Sequence, residues 1–226
     1  MISNNLFHFL SELKQNNHKE WFYEHKPVYQ ILRTQFEQLI AQTILDIAQF
    51  DNSVKTIEPK QCIFRINRDI RFSKDKSPYK TNFGGFIAPG GRNSGYAGYY
   101  IHLEPNNCFL GGGIYMPPPG RLKAVRTEIF ENTEEFKKII HHKNFKKHFN
   151  GIIQGQMLKT APKGFPKDFN DIDLLKYKHY TVIRKMSEEL VTSDKFANEI
   201  REGFRALYPF NHFINQGINY QLSLGN

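Results

Sequence analysis

Residues 62–81, CIFRINRDIRFSKDKSPYKT, decide how the rest of the chain is read. Cys62, Phe64, Ile66, Ile70 and Phe72 alternate with Arg65, Asn67, Asp69 and Arg71. A period of two is the mark of a β-strand. It predicts Arg65, Asn67, Asp69 and Arg71 on one face and the apolar set on the other. Arg68 falls on the apolar side. It therefore predicts either a buried cation that needs an anionic partner or a bulge that re-aims the chain.

Upstream the period is helical. Leu6, Phe7, Leu10 and Leu13 predict a short helix over 4–14, and Trp21 and Phe22 mark a second over 18–25. Pro27 suits the first turn of a third. Val28, Leu32, Phe36, Leu39, Ile40, Ile44 and Ile47 carry that helix to about residue 50. Downstream, residues 83–88, 96–103 and 108–115 read as strands joined by Pro/Gly/Asn turns, and such short connections imply antiparallel hairpins. Helices follow from near Arg121 and from Asn132 or Thr133, with Gly151 closing the helical region. Residues 160–176 read as irregular and 180–185 as one more strand. A final helix capped by Ser193 carries Phe196, Ile200, Phe204 and Leu207.

Helices, then strands, then helices, without βαβ alternation, predict an α+β fold. Its parts are N-terminal helices, a central, mainly antiparallel sheet over about residues 60–116, and C-terminal helices. No low-complexity linker divides the chain, so residues 1–226 are expected to form a single domain. The start of the chain lacks a cationic segment before an apolar run, which predicts no signal peptide. No stretch reaches the roughly 20 apolar residues of a spanning helix. Cys62 and Cys108 do not form a disulfide framework and read as small buried hydrophobes. A cytoplasmic protein without membrane contact is expected.

The net charge of +9 favours anionic partners. Residues 65–80 concentrate it: Arg65, Arg68, Arg71, Lys74, Lys76 and Lys80 face only Asp69 and Asp75. Six cations against two carboxylates leave a surplus of four. Either carboxylates from elsewhere, such as Glu20, Glu24, Glu58 or Glu104, fold onto the segment, or an anionic ligand does. Arginine forks suit carboxylate and phosphate.

The same stretch carries a family resemblance. With Asn16, Asn17, Glu20, Trp21, Phe22, Lys26 and Tyr29 before it, and Tyr100, Gly111, Gly112, Gly113, Tyr115, Pro117, Pro162, Lys163, Gly164 and Phe165 after it, the chain resembles domain of unknown function 2461. That family of conserved hypothetical proteins is widespread in bacteria and present in fungi. The resemblance spans nearly the whole chain. It implies no activity, and no catalytic residue is carried over from it.

Gly111, Gly112 and Gly113 permit close approach of a ligand or of another backbone, and they lead to a helix start at Arg121, where free N–H groups favour anions. Strand residues Tyr100, His102 and Glu104 alternate onto one face. The expected site is an anion pocket in which the Arg-rich strand and the Gly-rich segment lie side by side. Its ligand would be a phosphorylated or carboxylated small molecule, and whether the protein is an enzyme is left open. His102 is the general acid/base candidate by residue type. Asp69 and Asp75 read as partners that orient arginine, because flanking cations lower a carboxylate's pKa, with Asp69 kept as a second proton-transfer candidate beside His102. Tyr79 is a third proton-transfer candidate if nearby lysines acidify it. Two other readings stand beside this one. The first is a nucleic-acid module using the strand cations, Arg92 and the lysines of 137–147. The second is a structural protein whose charges pair internally. His141, His142 and His148 lack metal-ligand spacing, so no metal-ligating residue is assigned, and the cofactor and any metal requirement are left open.

Overall fold

The computed structural model describes residues 2–152 and 157–223. Three helices open the chain: α1 (Asn4–Gln15), α2 (Lys19–Glu24) and α3 (Lys26–Ile47). The His18 ring caps α2 by accepting from the Trp21 N–H, and Pro27 occupies the first turn of α3. Leu32, Phe36, Ile40, Ile44 and Ile47 recur at helical steps and are buried. A 3₁₀ turn over Asn52–Val54 and the short α4 (Pro59–Cys62) lead to the charged segment.

Four antiparallel strands form the sheet: β1 (Phe83–Ile87), β2 (Gly98–Leu103), β3 (Cys108–Ile114) and β4 (Tyr180–Met186), in the order β1-β2-β3-β4. The expected strands near 83, 96, 108 and 180 are therefore all present. Between β3 and β4 run α5 (Pro119–Glu131), α6 (Thr133–His141) and α7 (Lys143–His148), then an irregular stretch with a 3₁₀ turn at Ile172–Leu175. After β4 come α8 (Glu188–Thr192) and the long α9 (Phe196–Ser223), which continues through Pro209. The fold is α+β, with helices at both ends of the chain and the antiparallel sheet between them.

One face of the sheet is fully covered. Tyr99, Ile101 and Leu103 of β2, Leu110 of β3 and Val182 of β4 are buried there. On this side Ile40 of α3 closes on Gly85, and Leu207 of α9 closes on Gly112. Asn215 clamps the start of β2 by accepting from the Ala97 N–H at 2.8 Å and donating to its carbonyl at 3.1 Å. Asn211 donates to the Gly98 carbonyl at 3.0 Å. The opposite face carries Phe86, Tyr100, His102, Phe109 and Ile183, all only half-buried. The two faces of this sheet therefore differ in kind, one core and one open.

The decisive stretch is not a regular strand. Residues 59–62 form a helical turn, closed by a reciprocal Glu58–Gln61 capping box. Beyond it, residues 63–68 run beside 78–85 with only two isolated bridges, Ile63 to Gly85 and Asn67 to Tyr79. The ladder fails for visible reasons. Pro78 has no N–H to give. The Arg65 carbonyl is taken by the Lys80 ammonium at 2.8 Å. Residues 69–77 leave the sheet as a loop, turned by the Ser73 N–H on the Ile70 carbonyl and by Lys76 Nζ on the same oxygen. The sheet accordingly begins at Phe83 rather than near residue 60. The predicted common face of Arg65, Asn67, Asp69 and Arg71 does not exist.

Candidate functional site

The segment that fails as a strand builds a cavity instead. Lys14, Asn17, Arg68, Asp75, Ser77, Tyr79, Lys80, Thr81 and Asn82 line a space of about 330 Å³. Its floor is held by Asn17 in the turn after α1. The Asn17 amide donates to the Tyr79 carbonyl and its oxygen accepts from the Tyr79 N–H, both at 3.0 Å. Tyr79 stacks on Phe22 with ring centroids 4.0 Å apart. One wall is a brace across the loop: Arg68 is paired with Asp75, and the Ser77 hydroxyl donates to Asp75 at 2.6 Å. The Ser77 bonds, then Arg68, hold the Asp75 carboxyl well below the usual range.

Among the described residues, three cations line this cavity with Asp75 as the one carboxylate, and no carboxylate pairs with Lys80. Burial, followed by the repulsion of Arg65 and Arg92, lowers its pKa. Such a lysine is a charged group held where charge is disfavoured, a state that a bound anion relieves.

Behind the cavity stands a polar relay on the open face of β2. The Tyr100 hydroxyl is 2.9 Å from His102 Nδ1, and His102 Nε2 is 3.2 Å from a Glu104 carboxylate oxygen. Glu104 also accepts from Thr81 at 3.1 Å and from Asn107 at 2.7 Å. Asn82 reaches His102 Nδ1 at 3.5 Å. Thr81 and Asn82 thus belong to both the cavity wall and the relay. Burial lowers the His102 pKa, against an upward pull from Glu104. Burial tends to raise the Glu104 pKa, but its bonds to Asn107, His102 and Thr81 outweigh this and lower it. Burial and the Glu104 charge push Tyr100 up to about 12. A neutral imidazole here donates Nε2–H to Glu104 and accepts the Tyr100 proton at Nδ1.

The other predicted site residues divide. Arg68 and Lys80 line the cavity, while Arg65 lies close enough to Lys80 to depress it. Arg71 forms a two-point pair with Asp69, at 3.0 and 2.7 Å, on the exposed loop, and this pair holds Asp69 at about 2. Asp69 therefore orients Arg71 and lies outside the cavity. Lys74 is exposed, and Lys76 serves the Ile70 carbonyl. Tyr79 is not acidified: burial, with Tyr23 and Glu20 nearby, raises its pKa. Neither arginine pair draws on Glu20, Glu24, Glu58 or Glu104; Asp69 and Asp75 serve them from within the segment.

Gly111, Gly112 and Gly113 lie in the middle of β3 and do not line the cavity. Backbone approach explains all three: a Cβ on Gly111 would lie 2.8 Å from the Val182 carbonyl. A Cβ on Gly112 would lie 2.4 Å from the Gly98 carbonyl, and one on Gly113, whose φ is +96°, would lie 2.0 Å from that of Tyr180. Arg121 packs over Tyr96, 4.7 Å from the ring centre, also away from the cavity. Of the lysines over 137–147, Lys137 is bonded to Glu134 and Asp171, so that face is not free of carboxylates. Among the described residues, no group of three or more His, Cys, Asp or Glu could hold a metal ion.

Lys14 and Asn17 were absent from the expected site. They stand more than 60 residues before Tyr79 in sequence, and no local period links them to it. Their only signal was the Asn16–Asn17 pair within the family resemblance.

Comparison with known proteins gives one match. The family of conserved hypothetical proteins DUF2461 matches residues 5–213. No curated protein matches. No solved structure matches either. No helix among the described residues is long and apolar enough to cross a membrane.

Proposed function

Because the chain belongs to the DUF2461 family, a group defined without an activity, we propose a function from the cavity itself: it binds a small phosphorylated or carboxylated molecule. One observation carries this reading. Among the described residues, Lys14, Arg68 and Lys80 converge on a cavity with one carboxylate, and Lys80 is partly desolvated beside Arg65 and Arg92 with no carboxylate paired to it. Arg68, held by Asp75 and by the Ser73 hydroxyl, adds a fixed rather than a mobile cation to the wall, which limits the entropy lost on binding. The volume of 330 Å³ falls within the range of small-molecule sites.

The relay adds an ordered hydrogen-bond chain behind the cavity wall. The Tyr100 hydroxyl, kept protonated by burial, donates to His102 while Glu104 fixes the other side of the imidazole, an arrangement that parallels hydroxyl–imidazole–carboxylate triads in geometry. In this reading Tyr100 and His102 serve a ligand seated against Asn82.

The test is titration of the protein with inorganic phosphate and with malonate, followed by calorimetry and by amide NMR shifts, with chloride at equal ionic strength as control. Saturable shifts at Asn17, Lys80 and Asn82, lost in Lys80→Gln, are expected. Identical responses to phosphate and chloride would overturn the reading.

A further inference from the structure

The cavity does not stand alone. Lys80, which lines it, also lies 5.4 Å from the ring centre of Phe64. Phe64 is 37% exposed and begins a continuous row of rings on the open face of the sheet. Its ring meets Tyr100 edge-on at 6.2 Å, and Tyr100 meets Phe109 at 5.7 Å. Phe109 stacks on His102 at 4.5 Å. Cations close both ends of the row: Arg92 lies 6.0 Å from the Phe64 ring, beside Lys80, and Lys185 lies 5.3 Å from Phe109. Glu104, the carboxylate beside this row, is already bonded to His102, Thr81 and Asn107.

An exposed Phe64 leading a row of half-buried rings, flanked by lysine and arginine, with the neighbouring Glu104 already bonded, matches the two halves of a nucleotide. Ring faces and edges hold a base, and the cations hold its phosphate. A bare anion accounts for the cavity but not for the ring row. A purely apolar ligand accounts for the rings but leaves Lys80 without a counter-charge.

We propose that the ligand of the cavity is a nucleoside phosphate, its phosphate on Lys80, Arg68 and Lys14 and its base on the Phe64–Tyr100 part of the sheet face. This rests on the anion-binding reading above. Lys80 joins the two subsites, because the same ammonium lines the cavity and lies over the Phe64 ring. The chemistry is shared by a free mononucleotide and by the phosphorylated end of a single strand.

Calorimetric titrations with phosphate, ribose 5-phosphate, adenosine monophosphate and 5′-phosphorylated oligoadenylate separate the alternatives. Adenosine monophosphate is expected to bind about tenfold more tightly than ribose 5-phosphate, the scale of one base–aromatic contact. Phe64→Leu keeps the apolar bulk at this half-exposed position and removes the ring. It should abolish that advantage, so that adenosine monophosphate and ribose 5-phosphate bind the variant equally. Nuclear Overhauser contacts between adenine H8 and the Phe64 ring protons give a readout independent of any variant. Oligoadenylate binding more tightly than the monophosphate, with a steep salt dependence, assigns a strand end; equal affinity assigns the free nucleotide. If adenosine monophosphate and ribose 5-phosphate bind equally, the base subsite is wrong and the anion pocket stands. If neither they nor phosphate bind, the pocket itself is refuted.

Discussion

The hydroxyl of Tyr100 lies 2.9 Å from Nδ1 of His102, two residues on along the same strand face. Alternation of side chains along β2 brings them together, and Glu104, the next residue in that alternation, completes the set from the other side of the imidazole at 3.2 Å. The register sets Gly84 of β1 directly opposite His102. A Cβ at Gly84 would come within 2.7 Å of the Tyr100 hydroxyl. Gly84→Ala should therefore push the hydroxyl off His102 while leaving the core face untouched. Loss of the Tyr100–His102 bond would appear as a changed His102 Nδ1 chemical shift. An unchanged shift would show that the strand accommodates the methyl group without displacing the hydroxyl.

The His102 ring should titrate below its ordinary value of 6.5, because burial outweighs the pull of Glu104. Glu104→Gln removes that pull and should lower the pKa further. Imidazole ¹⁵N shifts followed across pH 4 to 8 measure both on the order of a few tenths of a unit or better, a span that reference values make accessible. The stability consequence has a definite sign. With a folded pKa below the unfolded one, the contribution of His102 is fully present above pH 6.5 and is lost as pH falls through the folded value. His102→Gln should remove that part of the acid loss. His148 and His179, whose pKa values are also lowered by burial, retain theirs.

Asn17 ties the N-terminal helices to the cavity by two backbone bonds to Tyr79. Asn17→Ala leaves a Tyr79 N–H and carbonyl to find new partners and should cost about 1–3 kcal/mol of stability, the scale of lost bonds to partly buried backbone groups. Chemical denaturation measures the loss. Anion affinity should fall in parallel, since Tyr79, Lys80 and Thr81 all hang from this anchor. A variant with native stability and native affinity would show that Phe22 alone seats Tyr79.

Much of this architecture was legible in sequence, and the reasons differ by element. The helix over Lys26–Ile47 announced itself through seven apolar residues at helical steps, and the strands through turns rich in Pro, Gly and Asn. Residues 63–72 misled because their alternation is real while their hydrogen bonding is not. Side-chain period reports burial preference, but a ladder also needs a free N–H and C=O on each strand. Pro78 and the Lys80–Arg65 contact remove these, and sequence period carries no information about either. The surplus of positive charge was read correctly as a feature. Asp69 and Asp75 were legible as the carboxylates that orient arginine, but which arginine each takes was not, because Asp75 reaches Arg68 only through the loop that replaced the strand. The Gly-rich segment was open to two readings, close approach of a ligand or of another backbone, and at Gly111, Gly112 and Gly113 the close neighbour is backbone.

That backbone approach makes the middle of the sheet sensitive to single methyl groups. A Cβ at Gly112 would meet both the Gly98 carbonyl and the Leu207 side chain at 2.4 Å. Gly112→Ala should destabilise the protein by more than the roughly 1–3 kcal/mol typical of overpacking, because one of the two neighbours is backbone and cannot change rotamer. Gly120→Ala is the matched control: nothing lies within 4 Å of its Cβ position, and it sits in the first turn of α5, where alanine is favoured over glycine. It should be neutral or slightly stabilising. Equal losses at the two positions would contradict the packing account.

Lys80 offers the sharpest test of the cavity because two of its properties respond together. Free, its ammonium is held below the ordinary 10.5 by burial and then by Arg65 and Arg92. An anion bound beside it favours the charged form, so ligand binding should raise its pKa, and by linkage affinity should fall as pH rises through the free value. The fall should begin at a lower pH than for an ordinary lysine. Lys80→Arg keeps a charge that does not titrate in this range. It should bind the anion with an affinity that stays level where the native protein's declines. Lys80→Gln should bind weakly at every pH. Measured affinities for phosphate between pH 7 and 10.5 decide the matter, and a native profile as flat as that of Lys80→Arg would remove Lys80 from the site.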